Sequence, residues 1–176
     1  MGTAFPENPT SVDDILRISF GSDERTHLTD FIEQELRSRG HQVELVGPPA
    51  GQPLQWADVA QAVAERVSST GVDEGILCCW TGTGVSIAAN KVPGVRAALC
   101  GDAETARGAR AWNDANILCL SLRTTTEAVA GEILEASFSA SSDASEAENV
   151  DKLNDLDRRY RPRKMPVTVD EEKGRN

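Results

Sequence analysis

The segment Cys79–Ser86 places one thiol, three hydroxyl groups and two glycines within eight residues. It follows an unbroken apolar run, Gly75–Cys79, which is typical of a strand buried on both faces, and it leads into a predicted helix. Glycines let the backbone approach a ligand closely, and the first N–H groups of a helix face an incoming anion. The partial positive charge at a helix start also favours the thiolate form of a nearby cysteine. The segment therefore predicts a base beside an anion-stabilising loop, which together can remove a proton from a carbon next to a carbonyl.

The same residues also allow a purely structural interpretation. Cys78 and Cys79 then serve as small buried strand residues and the glycines only form a turn, as in many strand-to-helix connections. A redox role for the adjacent cysteines is the weakest hypothesis, because neighbouring residues form a disulfide only under strain. The four cysteines follow no zinc spacing and the two histidines, His27 and His41, are not paired, so we expect no metal and no cofactor.

Apolar periodicity predicts five strands that alternate with five helices. The predicted strands are Ile15–Phe20, Gln42–Val46, Gly75–Cys79, Val95–Cys100 and Asn116–Leu120, and the predicted helices are Thr26–Arg39, Trp56–Ser68, Val85–Lys91, Ala103–Trp112 and Thr126–Phe138. This alternation predicts an α/β fold with a five-stranded parallel sheet covered by helices on both faces. Ligands bind such sheets at the carboxyl ends of the strands. Three segments qualify by that rule: 21–24, 79–86 and 100–102.

Length and charge limit the remaining possibilities. The chain has 176 residues, with 28 Asp+Glu against 18 Lys+Arg and a net charge of -10, so we expect no nucleic-acid partner. No apolar run approaches the roughly 20 residues of a membrane span, and no signal peptide is recognisable, so we expect a cytoplasmic protein with free thiols. The predicted organisation is a flexible leader (1–14), one domain (15–139), a linker with a C-terminal helix (140–161) and a disordered tail (162–176).

Three blocks of the sequence resemble a known family of enzymes. Residues 75–98, Gly21-Ser22-Asp23 and Asn113–Asn116 resemble the type B ribose-5-phosphate isomerases and the galactose-6-phosphate isomerase subunits. The likeness extends from about Ile15 to Phe138. It implies a Rossmann-like, flavodoxin-like sheet and a homodimer or homotetramer with sites between subunits. It further implies a metal-free interconversion of phosphorylated aldoses and ketoses.

The resemblance assigns roles to individual positions. It implies that Cys79 is the catalytic cysteine and Thr81 the residue that polarises the carbonyl. Asp23 matches an aspartate that binds the sugar, and Asn113 matches an asparagine that contacts substrate hydroxyls. The implied anion hole consists of Gly82, Thr83, Gly84, Val85 and Ser86.

Four positions depart from the family pattern. Glu24 stands where a histidine is usual after the first strand, and Trp80 replaces the glycine that follows the catalytic cysteine. Trp112 occupies the position of a histidine that helps open the sugar ring, and tryptophan cannot carry a proton as histidine does. Lys152 lies in the C-terminal segment that normally offers arginines to the phosphate. Glu24, Trp80, Trp112 and Lys152 are therefore candidate substrate-binding residues with altered roles.

These observations predict an aldose–ketose isomerase that acts on a small sugar phosphate through an enediolate. Because the ring-opening histidine is replaced by Trp112, we expect an open-chain substrate of the tetrulose type, with ribose 5-phosphate as the other possibility. One alternative is a diverged enzyme of a specialised pathway. Another is a sugar-phosphate-binding subunit without activity, which the presence of Cys79 disfavours.

Overall fold

The structure, a computed structural model, describes residues 15–160, so the predicted leader (1–14) and tail (162–176) lie outside the described residues. Five strands form one parallel sheet in the order β2-β1-β3-β5-β4. They are β1 (Arg17–Ser22), β2 (Gln42–Val46), β3 (Glu74–Cys79), β4 (Ala97–Leu99) and β5 (Ile117–Ser121). The predicted fold class is confirmed. The strand order differs from the usual flavodoxin-like order 2-1-3-4-5 in one respect, because β5 lies between β3 and β4.

Six α-helices surround the sheet: α1 (His27–Ser38), α2 (Trp56–Ser68), α3 (Thr83–Ala89), α4 (Ala103–Asn113), α5 (Glu127–Phe138) and α6 (Ala147–Tyr160). Helices α1, α4 and α5 pack together on one face, and α2 and α3 pack together on the other. In the described part of the chain, no helix is long and apolar enough to cross a membrane. The fourth predicted strand changed most: the strand expected at Val95–Cys100 is reduced to three residues at the sheet edge.

Strand β3 lies in the middle of the sheet, paired with β1 on one side and β5 on the other. Its side chains alternate, so Ile76 and Cys78 face the α1, α4 and α5 layer, whereas Leu77 and Cys79 face the α2 and α3 layer. The adjacent thiols of Cys78 and Cys79 therefore point to opposite faces of the sheet, and both are free. This geometry gives no support to the redox hypothesis.

An ion pair at the amino end of the sheet fastens β1 to the turn before β3. The Asp73 carboxylate accepts hydrogen bonds from the Arg17 guanidinium, at 2.6 Å, and from the Arg17 backbone N–H, at 2.8 Å. These bonds from Arg17 lower the pKa of Asp73 below its usual range. The Arg17 side chain also donates to the carbonyl oxygens of Thr70 and Gly71, so one residue secures the whole turn.

We expect Asp73→Asn to reduce the free energy of unfolding at neutral pH by roughly 0.5–1 kcal/mol, since the pair is partly exposed to solvent. A carboxylate with a lowered folded-state pKa stabilises the fold above the unfolded pKa of about 4. The difference between wild type and variant should therefore vanish as the pH falls through the lower folded-state pKa. Urea denaturation between pH 2 and 7 measures it, with the exposed Asp151→Asn as the control. A difference that is constant with pH would contradict this expectation.

Candidate active site

Cys79 ends β3 at the carboxyl edge of the sheet, and the residue is 5% exposed. The backbone around it is held on two sides. The Leu122 N–H donates to the Cys79 carbonyl at 3.0 Å from the end of β5, and the Gly82 N–H donates to the same oxygen at 3.2 Å. The second bond closes a four-residue turn from Cys79 to Gly82. The thiol is thus fixed on rigid backbone at the point where the loop begins.

Gly82 determines the course of the loop between β3 and α3. Its φ of 72° lies in the left-handed region, which an L side chain adopts only with strain. A Cβ at this position would lie 2.9 Å from the Leu120 carbonyl oxygen, which is backbone and cannot move aside cheaply. The loop is also tied to β5, because the Ser121 hydroxyl and the Arg123 N–H both donate to the Trp80 carbonyl at 3.0 Å.

Beyond Gly82 the loop presents polar groups to solvent. The hydroxyl oxygens of Thr81 and Thr83 lie 2.7 Å apart and both side chains are exposed. Thr83 is the first residue of α3, so the N–H groups of Thr83, Gly84 and Val85 have no acceptor within the helix. Hydrogen bonding resumes where the Ser86 N–H donates to the Gly82 carbonyl at 3.2 Å. The predicted anion-hole segment therefore does contain free donors, next to two hydroxyls and the thiol.

Asp23 follows β1 at the same edge of the sheet. Ser22 pairs with Cys78, which brings Asp23 beside the end of β3. The Oδ1 atom of Asp23 is buried and has no hydrogen-bond partner among the described residues. Burial raises the pKa of Asp23, and the neighbouring charge of Glu24 adds to the rise. A buried carboxylate oxygen without a donor is an unfavourable state that a ligand hydroxyl would relieve. Glu24 itself is exposed at the rim.

Sequence reasoning did not assign two further residues that border the loop. The Trp56 ring packs against Gly84, because a Cβ on Gly84 would lie 3.1 Å from the ring. Trp56 is nevertheless 44% exposed. Arg123 is exposed and forms no salt bridge among the described residues. Arg123 could have been found by the rule already applied to the other strands, because it lies just past the carboxyl end of β5. The packing of Trp56 on Gly84 left no signal in the sequence.

Three predicted site residues lie elsewhere in the chain. Trp112 and Asn113 end α4, which leads back to the amino end of β5, one strand length of roughly 13 Å from the edge that carries Cys79. Asn113 lines a cavity of about 400 Å³ between α6 and the β4 edge. Lys152 lies on α6, where it pairs with Glu148 at 3.0 Å. Within a single chain, these residues and the Cys79 loop form two separate groups.

The other cysteines belong to the core. Burial raises the pKa of Cys100 to about 11, and it raises the pKa values of Cys78 and Cys119 further. These three thiols therefore stay protonated near neutral pH. Cys79 is the thiol from which the loop begins, so the predicted base remains the best candidate of the four.

Comparison with known proteins identifies the family. The profile of the ribose/galactose isomerase family matches residues 18–154, which is most of the chain. The chain belongs to the ribose/galactose isomerase family. Relatives in the family include proteins named ribose-5-phosphate isomerase B and D-erythrulose-4-phosphate isomerase, which interconvert aldoses and ketoses, and this chain is an isomerase of that kind. The resemblance noted in the sequence is thereby confirmed.

Two relatives in sequence and one in structure illustrate the similarity. D-erythrulose-4-phosphate isomerase from Pectobacterium atrosepticum is 32% identical over 146 residues, which cover 77% of this chain and 93% of that protein. A Bacillus subtilis relative is 48% identical over 80 residues, which span 54% of its length. The ribose-5-phosphate isomerase B structure from Clostridium thermocellum superposes with a TM-score of 0.76 at 37% identity. That superposition covers 82% of this chain and 99% of the other.

We expect Gly82→Ala to impair this isomerase and Gly101→Ala to leave it unchanged. Gly82 needs a positive φ, so alanine there costs about 1–2 kcal/mol of stability and displaces the loop. A Cβ on Gly101, which follows β4 at the same edge, meets nothing within 4 Å. Urea denaturation and turnover of a sugar phosphate measure both effects. Equal behaviour of the two variants would show that the loop does not depend on the left-handed residue.

Proposed function

We propose that the protein interconverts an open-chain aldose phosphate and ketose phosphate of four carbons by a cysteine-mediated enediolate mechanism. The observation that carries this proposal is the position of the Cys79 thiol. It lies on fixed backbone at the start of a loop that offers two exposed hydroxyls and free N–H groups. A base and a set of hydrogen-bond donors are what proton transfer next to a carbonyl requires.

In the proposed reaction the Cys79 thiolate removes the proton from the carbon next to the substrate carbonyl. The electrons of that C–H bond form the C=C bond of an enediol(ate), and the carbonyl π electrons move onto its oxygen. The Thr81 hydroxyl and the free N–H groups of Thr83, Gly84 and Val85 stabilise the charge on that oxygen. Cys79 then returns the proton to the neighbouring carbon, while a hydroxyl proton passes between the two oxygens. Nothing else is consumed, and the Cys79 thiolate is regenerated.

Asp23 and Arg123 are the proposed contacts to the rest of the substrate. The buried, unpartnered Oδ1 of Asp23 is suited to accept a hydrogen bond from a sugar hydroxyl. Arg123 is free of salt bridges within residues 15–160, and its backbone is bonded to Trp80 in the loop. An arginine in this position is suited to bind a phosphate at the far end of a short substrate.

Two observations support a four-carbon substrate. Trp112 stands where the resemblance calls for a ring-opening histidine, and one relative is named D-erythrulose-4-phosphate isomerase. In a tetrulose 4-phosphate the C2 carbonyl is too close to the C4 oxygen for a furanose ring to form. In the corresponding aldose, the phosphate blocks the C4 oxygen that would close the ring. An enzyme for such a substrate needs no acid to open a ring, which leaves Trp112 free for apolar contact with substrate carbons.

A site shared between two copies of the chain would bring the Cys79 loop together with Asn113 and Lys152, which lie apart within one chain. Asn113 and Lys152 cannot reach their own Cys79 loop, but the same residues of a second copy can lie against it in a homodimer or homotetramer. The surface around the loop is suited to being covered, because Trp80, Ile87 and Leu99 are all exposed there.

The first test is a kinetic comparison of erythrulose 4-phosphate and other tetrulose phosphates with ribose 5-phosphate. We expect the higher kcat/KM with a tetrulose phosphate. Cys79→Ala should lower kcat by about 10²–10⁴-fold, the usual effect of losing a general base. The buried Cys119→Ala is the matched control and should keep its activity. Near-normal turnover by Cys79→Ala would refute the mechanism, and equal kcat/KM values on both substrates would refute the preference.

The second test is complementation between Cys79→Ala and Asn113→Ala. Each variant alone should be impaired, since each homo-oligomer carries the same lesion in every site. When the two are co-expressed, random pairing restores about a quarter of the wild-type activity, because half of the dimers are mixed and each has one intact site. A mixture no more active than the mean of the separate variants would show that both residues act within one chain.

A further inference from the structure

The side chains of Thr81 and Thr83 form the one hydrogen bond between side chains inside the described loop. Their Oγ1 atoms lie 2.7 Å apart, and neither hydroxyl has another hydrogen-bond partner among residues 15–160. Thr81 is the third residue of the turn that the Gly82 N–H closes onto the Cys79 carbonyl. Thr83 follows the left-handed Gly82 and begins α3. The turn and the positive φ of Gly82 together bring the two hydroxyls into contact.

Hydroxyl chemistry limits what this pair can do. Each hydroxyl has one proton to donate and two lone pairs to accept with, so a bond between them uses one proton and leaves one for a third group. If Thr83 donates to Thr81, the Thr81 proton is directed away from Thr83. The donated bond also polarises the Thr81 O–H and makes it a stronger donor.

We propose that Thr83 is a positioning residue: its hydroxyl donates to Thr81 and so directs the Thr81 proton onto the substrate oxygen that becomes negative. This inference rests on the proposed function, in which Thr81 polarises the carbonyl. A lone threonine hydroxyl rotates among several orientations, whereas a hydroxyl that accepts a fixed hydrogen bond keeps its proton in the productive direction. Catalytic donors that are oriented before the reaction need no reorganisation as the charge develops.

The primary experiment compares Thr83→Val with Thr83→Ser. Valine keeps the β-branched shape and removes the hydroxyl, while serine keeps the hydroxyl. We expect Thr83→Val to lower kcat about tenfold with KM within about twofold, because the lost bond acts mainly in the transition state. Thr83→Ser should recover most of the rate. Thermal unfolding of both variants measures any effect on the fold, and an equal loss in valine and serine would overturn the proposal.

A double-mutant cycle with Thr81→Val tests whether Thr83 acts through Thr81. If it does, Thr81→Val/Thr83→Val is no slower than Thr81→Val alone. If the two substitutions lower kcat by factors that multiply in the double variant, the hydroxyls act independently and the proposal is overturned. The proposal is also overturned if the double variant is as slow as Thr83→Val while Thr81→Val alone is faster, because Thr81 would then act through Thr83. Turnover retained in Cys79→Ala refutes the proposed function instead. If Cys79→Ala is inactive and Thr83→Val is fully active, the positioning role of Thr83 is refuted and the proposed function is not.

Discussion

The pairing of β3 on both of its edges is the constraint on which the rest of the site depends. Because β1 and β5 fix its register, its side chains must alternate between the two helical layers, and Cys79 is held on the α2 and α3 side. A slip by one residue would exchange Cys79 with Cys78 and bury the candidate base among α1, α4 and α5. The register therefore decides which of two adjacent and chemically identical thiols begins the loop.

From that fixed end, the loop is shaped by backbone interactions more than by side chains. The Cys79 and Trp80 carbonyls are both held by donors from β5 and the residues after it, and Gly82 turns the chain into α3. Strands β3 and β5 can supply these bonds because β5 lies next to β3 in the sheet. The polar groups of Thr81 and Thr83 then face solvent on rigid backbone, the condition under which hydrogen-bond donors contribute most to catalysis.

Two bulky indole rings are among the departures from the family pattern that the sequence resemblance indicates. By that resemblance, Trp80 stands where a glycine is usual and Trp112 where a histidine is usual. Both are more than half exposed in the single chain, at 56% and 59%. Trp112 also packs along its own helix, where a Cβ on Gly108 would lie 2.6 Å from the ring. Exposed indoles at these positions fit a binding site for a shorter substrate with more apolar contacts. They also fit a surface that a second copy of the chain covers in an oligomer.

Local sequence patterns determined the fold class, the five strands and the segment that forms the candidate site. Apolar periodicity, the glycines at 82 and 84 and the polar residues after each strand are short-range features, and the elements they predict form by short-range rules. Even Arg123 follows from the rule for strand ends. What the sequence left open depends on long-range placement. Only the tertiary structure decided four features. They are the position of β5 between β3 and β4, the packing of Trp56 on Gly84, the contact of Thr81 with Thr83 and the separation of Asn113 from Cys79. They follow from how the connections cross the sheet, and sequence periodicity carries no information about that crossing.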